Sequence, residues 1–233
     1  MLMLLLLAPP QHAQAQDDLT FDTGVNITSR FIYRGVELGS SPHIQTALGI
    51  NKGNFSVYGW GSYSLGFDDG AYKEVKFWAN YTIVADGFSI TPQIENHYSA
   101  YQDLFDFDED TSTHVFQASA RFALDGDVAP DFVIGYTFWG GPANTLYTEA
   151  GLNFGLGDYS MRTFLSTQVA PDATIGNPGF VDDGYVDNFV VNQIGITGSR
   201  TMEITDKFSI PLGVGLIVNP KSERIFVTAT VSF

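Results

Sequence analysis

Cysteine is absent from all 233 residues, which excludes a disulfide framework, a thiolate nucleophile and any Cys-ligated zinc or iron–sulfur centre. Basic residues are scarce: 11 Lys and Arg stand against 26 Asp and Glu, for a net charge of -15. A phosphate backbone would be repelled, so nucleic acid is not a partner, and cations or polar solutes suit the chain better. Charged residues of both signs amount to only 16%, below the quarter or so common in water-soluble domains. Beyond the N-terminus no apolar run approaches the roughly 20 residues of a membrane-spanning helix. Met1 to Ala8 are almost wholly apolar and Ala13-Gln14-Ala15 has the small-x-small form of a signal-peptidase site. A secretory signal over 1–15 and one mature domain over 16–233 are expected.

What the chain does hold is Gly (24), Phe (19) and Tyr (11), a bias that favours strands over helices. Segments of about ten residues alternate apolar and polar side chains, the period-2 signature of strands with two unlike faces. In the last one Ile225, Val227, Ala229, Val231 and Phe233 oppose Arg224, Thr228, Thr230 and Ser232, and only Phe226 breaks the pattern. Phe21, Val25, Ile27 and Phe31 oppose Asp22, Asn26, Thr28 and Arg30; Val75, Phe77, Ala79 and Tyr81 oppose Glu74, Lys76, Trp78 and Asn80. Phe208, Ile210, Leu212, Val214, Leu216 and Val218 form an unbroken apolar row that must face lipid or a core.

Connections of two lengths alternate between these segments. Short ones surround Lys52-Gly53, Asp86-Gly87, Gly157-Asp158 and Thr205-Asp206, with a slightly longer one at Asp125-Gly126-Asp127. The long ones run from Gly35 to Ser41, Tyr101 to Ser112 and Pro171 to Asp187, all on the opposite end. Segments beginning near Leu19, His43, Asn54, Tyr72, Gly87, Thr113, Asp131, Thr145, Asp158, Asn188, Lys207 and Ser222 make about twelve strands. The expected fold is all-β, a transmembrane antiparallel up-and-down barrel with both termini on the short-turn, periplasmic side. A two-sheet sandwich also alternates faces and is the competing architecture.

If the apolar rows face lipid, the opposite rows face the lumen. Parity then places Arg30, Arg34, Lys76, Arg121 and Arg162 inside, with Glu74, Glu95, Glu149 and His97. Such rows either line a channel, setting a transverse field that orients small polar solutes, or pair with each other and plug a narrow barrel. Two Ser/His neighbours, Ser112 with His114 and His97 with Ser99, raise the possibility of lipid-modifying catalysis, but neither lies in a G-x-S-x-G or H-E-x-x-H context. No catalytic site, metal site or cofactor is expected. The run from Asp103 to Asp110 reads as a solvated acidic loop and lacks the spacing of an EF-hand. Tyr33, Tyr63, Tyr98, Tyr136 and Tyr159 sit near strand ends, where aromatic girdles meet headgroups.

Two resemblances follow from these residues. A final strand ending in Phe233 after Val231, Ala229 and Val227 resembles the signal by which outer-membrane barrels are recognised for insertion. The opening Ser29-Arg30-Phe31-Ile32-Tyr33-Arg34-Gly35-Val36, followed by Pro42, Gln45 and Tyr58-Gly59-Trp60-Gly61-Ser62, is similar to the start of the TorF-type porins, also called the Gcw_chp family of conserved outer-membrane proteins. The resemblance implies an outer-membrane location and porin-like passage of small polar solutes. It further implies outer-membrane lipid, lipopolysaccharide and the barrel-assembly machinery as partners.

Overall fold

A computed structural model describes residues 18–66, 72–100, 103–108, 111–140, 144–169, 189–206 and 208–233. The expected signal over 1–15 and the whole Pro171 to Asp187 connection lie outside them. Twelve antiparallel wall strands close into a barrel. They are β1 (Leu19–Thr28), β4 (His43–Lys52), β5 (Phe55–Ser64), β6 (Lys73–Tyr81) continued by β7 (Ile83–Ala85), β8 (Phe88–Ser99), β9 (Val115–Leu124), β10 (Val128–Trp139), β11 (Thr145–Leu156), β12 (Tyr159–Val169), β13 (Val190–Thr205), β14 (Phe208–Asn219) and β15 (Arg224–Ser232). Each pairs with its neighbour in sequence, and β1 pairs with β15 to close the ring. At this seam Phe233 exchanges two backbone hydrogen bonds with Val25. Closure leaves no sheet edge, the condition for crossing a bilayer with strands. No helix among the described residues is long and apolar enough to cross a membrane.

The faces sort as alternation dictates. Phe21, Leu48, Phe77, Ile94, Phe122, Phe132, Leu165, Leu216 and Val227 are exposed on the outside, while His43, Gln45, Glu74, Gln117, Asp131, Glu149 and Ser166 are buried within. Apolar outside and polar inside is stable in hydrocarbon and would be an aggregation surface in water. The sandwich is thereby excluded.

One element departs from the expected plan. Between β1 and β4 the chain turns inward as a hairpin of β2 (Phe31–Tyr33) and β3 (Val36–Gly39), which forms a separate two-stranded sheet inside the barrel. Two expectations are corrected here: Phe31 is not part of the first wall strand, which ends at Thr28, and the segment from Gly35 does not form a loop outside the barrel. The reason is hydrophobicity on both faces. Phe31, Ile32 and Tyr33 are three apolar or aromatic residues in a row, so no wall position could hide all of them, and in the lumen their exposure falls to 1%, 1% and 5%. Tyr33 is therefore not a girdle residue, whereas Tyr63, Tyr136 and Tyr159 do stand exposed outside.

Candidate functional site in the lumen

The hairpin reaches across the long-loop half of the barrel and touches a different wall with each face. Phe31 and Tyr33 pack on Trp60 of β5, Ile32 on Ile217 of β14 and Phe226 of β15, and Val36 on Val190 of β13. Phe226, which breaks the alternation of β15, is the seat for Ile32. The two-residue turn between the hairpin strands, Arg34-Gly35, has positive φ at both positions (50° and 80°), the geometry that matches strand twist. Gly35 is required twice over, because a Cβ there would also stand 2.0 Å from the Asn192 carbonyl oxygen. The turn's own carbonyls are satisfied by the far wall: Asn192 donates to the Arg34 carbonyl at 3.2 Å and Asn219 to that of Gly35 at 3.0 Å.

Arg34 thus lies at the hairpin tip rather than on a wall strand. Its guanidinium donates to Gln117 Oε1 at 2.7 Å and sits 4.0 Å from the centre of the Tyr147 ring. Arg30 also lies off the wall strands, at the hairpin base, and bridges to Glu37 at 2.9 Å. Parity read both as continuing the first wall strand, but β1 ends before either is reached, so they are carried by the hairpin segment instead.

The other predicted residues lie on wall strands and join into two networks, with Arg34 touching both. In the first, Glu74 of β6 bridges to Lys76 at 3.3 Å and to His97 Nδ1 at 3.2 Å, and His97 Nε2 lies 2.9 Å from Glu95 of β8. Gln93 and Gln117 donate to Glu95 at 2.6 and 2.7 Å, and the Lys76 ammonium sits 4.0 Å from the Tyr33 ring centre. In the second, Arg162 of β12 donates to Asp131 at 2.7 Å and to Glu149 at 2.7 Å, and Arg121 to Asp131 at 3.3 Å. Tyr147 and Gln193 donate to Glu149 at 2.6 and 3.0 Å, and Asn153 to Asp131 at 2.6 Å. The charged networks therefore run from β6 to β12, with Gln193 added on β13, while the wall from β14 to β1 presents Gly213, Gly215, Thr228, Thr230 and Gly24, with one carboxylate at Asp22.

Asp131 is the residue that sequence reasoning missed. It was placed at a segment start, yet β10 begins at Val128, and Asp131 alternates with outward Phe132 and Ile134. Its side chain has no exposure and holds the second network together.

Below the hairpin the inward side chains lie flat along the wall over glycines. Tyr58 covers Gly49, Arg162 covers Gly151 and Phe164 covers Gly195, each so closely that a Cβ would meet it between 2.1 and 2.4 Å away. Trp78 stacks on Tyr58 at 5.3 Å, and the Tyr58 hydroxyl donates to Asp22 at 2.6 Å. On β1 a Cβ at Gly24 would meet nothing within 4 Å, and on β14 one at Gly213 would meet only atoms 3.9 Å away.

The Ser/His neighbours form no nucleophile–base pair. The ring nitrogens of His114 face Asn96 and the Leu104 carbonyl oxygen, and Ser112 accepts from the His114 backbone. Both ring nitrogens of His97 face carboxylates.

Fold and lumen together define a transmembrane β-barrel of porin architecture with an inturned loop. Solved structures of similar fold include the KdgM porin, with a TM-score of 0.56 at 9% identity over 92% of this chain and 98% of that one. The NanC porin gives 0.56 at 9%, over 91% and 98%. A KdgM porin structure in complex with disordered oligogalacturonate gives 0.53 at 8%, over 93% and 98%. No family model and no curated protein sequence matches the chain.

Proposed function

We propose that the protein is an outer-membrane porin that passes small polar solutes by diffusion, with the β2–β3 hairpin as its constriction. The observation that carries this is the contrast within one lumen: a hairpin narrows the long-loop half, while beyond it the short-turn half is left wider, with free space over Gly24. The long loops face outward and the short turns face the periplasm, with 1–15 removed as a signal and Phe233 read by the barrel-assembly machinery. Outer-membrane lipid and lipopolysaccharide surround the apolar belt.

In this reading Arg34, Glu74, Lys76, Glu95, His97, Arg121, Glu149 and Arg162 line the path, with Asp131 added and Arg30 at its mouth. Glu74, Glu95, Asp131 and Glu149 are balanced by Arg34, Lys76, Arg121 and Arg162, and Asp22 on β1 adds one acid, so the path orients polar solutes with a slight preference for cations. The KdgM porin has been captured with oligogalacturonate, and a polar solute class for this barrel is consistent with that neighbour. The opening motif from Ser29 to Val36 supports TorF-type membership, and the hairpin gives that motif a structural role. Passive transport involves no chemical step, and the chain acts without enzymatic activity.

Single-channel recording in planar bilayers tests the reading: discrete openings are expected, and neutralising Arg34 and Arg121 together shifts the reversal potential toward cations. A second reading, a closed barrel acting through its acidic loops, is favoured by one observation, the hairpin's contacts with β5, β6, β9, β11, β13, β14 and β15. It predicts no current from a folded barrel.

A further inference from the structure

Residues 103–108, in the acidic connection between β8 and β9, do not stand up into solvent above the rim but lie against outward-facing side chains of the barrel. Phe116 and Phe138 belong to the outward rows of β9 and β10, Tyr98 and Asn96 to that of β8, and His114, one residue before β9, shares the parity of Phe116. Phe107 stacks on His114 at 4.6 Å, and Tyr98 stacks on the other side at 5.1 Å. Nε2 of His114 lies 2.9 Å from the Leu104 carbonyl oxygen, and the Asn96 side-chain amide lies 3.0 Å from Nδ1. This clasp leaves His114 only 2% exposed on a face that otherwise looks outward.

Asp103 and Asp106 each accept from the backbone two residues on, at 3.0 and 3.1 Å, so the carboxylates are partly spent in shaping turns. Held this way, Leu104, Phe105 and Phe107 are exposed by 40%, 82% and 54%. Phe107 is 6.5 Å from Phe116, which is 6.2 Å from Phe138 and 5.4 Å from Trp139, so the exposed aromatics continue the outward rows of the wall without a gap.

We propose that this segment is a membrane-interface anchor, with Phe105 and Leu104 seated in the outer-leaflet lipid where headgroups meet hydrocarbon. The occupant follows from continuity: the surface these side chains extend is the belt already covered by lipid, and exposed Phe beside acidic groups suits a boundary that is apolar on one side and wet on the other. His114 is the positioning residue that ties the anchor to the wall. The proposal rests on the transmembrane reading of the barrel.

Absence of cysteine makes the test direct. Phe105→Cys gives one attachment site for a fluorophore, and Leu216→Cys and Asp86→Cys provide a mid-belt and a short-turn reference. Each labelled barrel is reconstituted at high lipid excess into phosphatidylcholine vesicles carrying bromine at defined acyl depths. The Phe105 probe is expected to be quenched by shallow bromines, the Leu216 probe by deep ones and the Asp86 probe by neither. Adding His114→Ala is expected to return the Phe105 probe to water while the barrel stays heat-modifiable. A Phe105 probe that behaves like the Asp86 probe overturns the anchor. So does shielding that appears only at low lipid-to-protein ratio, which would mean contact with a second copy. An unquenched Leu216 probe would instead overturn the transmembrane reading beneath it.

Discussion

The two halves of this barrel are built from the same twelve strands and solve opposite problems. In the long-loop half the lumen is packed like the core of a soluble domain, with Ile32 on Phe226 and Phe31 on Trp60. Toward the short turns Tyr58 and Arg162 are pressed over glycines, and Gly24 has free space above it. Strand number alone does not decide between filled and open at this size. Here one nine-residue excursion, 31–39, narrows one half, while inward glycines let side chains lie flat against the wall in the other.

Removing that excursion breaks the comparison most severely. Replacing 31–39 with a short Gly/Ser link is expected to raise single-channel conductance several-fold while the barrel remains heat-modifiable, since the wall strands pair without it. A milder form is Ile32→Ala, which should weaken hairpin docking by about 2–5 kcal/mol and show as flickering between two conductance levels. Asp131→Asn comes next. It leaves Arg121 without its carboxylate partner and Arg162 with Glu149 alone, at a cost of about 3–5 kcal/mol, and should move the reversal potential toward anions.

Which of these features the sequence shows depends on whether a residue obeys alternation. The wall was legible because lipid on one side and water on the other force a period of two on every strand, and the alternating turn lengths order those strands. The hairpin was not, because Phe31, Ile32 and Tyr33 are apolar on both faces and alternation has nothing to say about such a run. Two traces of it were nevertheless present. One is Arg34-Gly35 flanked by apolar residues, a two-residue hairpin turn; the other is Phe226, whose inward position makes sense only with an apolar partner inside the barrel. The ladder residues Glu74, Lys76, Glu95, His97, Arg121, Glu149 and Arg162 followed from parity, but their pairing did not, because register between distant strands is invisible to it.

Smaller effects sharpen the contrast at single glycines. Gly151→Ala would place a Cβ 2.4 Å from Arg162 Nη2 and 2.8 Å from Asp131 Oδ1, pushing the guanidinium off the wall; reduced conductance is expected. Gly24→Ala should do almost nothing, within about 0.5 kcal/mol in folding and with conductance unchanged, because its Cβ enters open space. Equal effects at the two glycines would mean that the space over Gly24 is not free as described.

The central claim, a hairpin-narrowed channel, is tested most directly by recording single-channel currents from the purified barrel beside the variant lacking 31–39. Small discrete openings from the natural chain, enlarged in the variant, are the predicted result. Conductance that is the same with and without the hairpin would contradict the constriction, and silence from both folded barrels would contradict the channel itself.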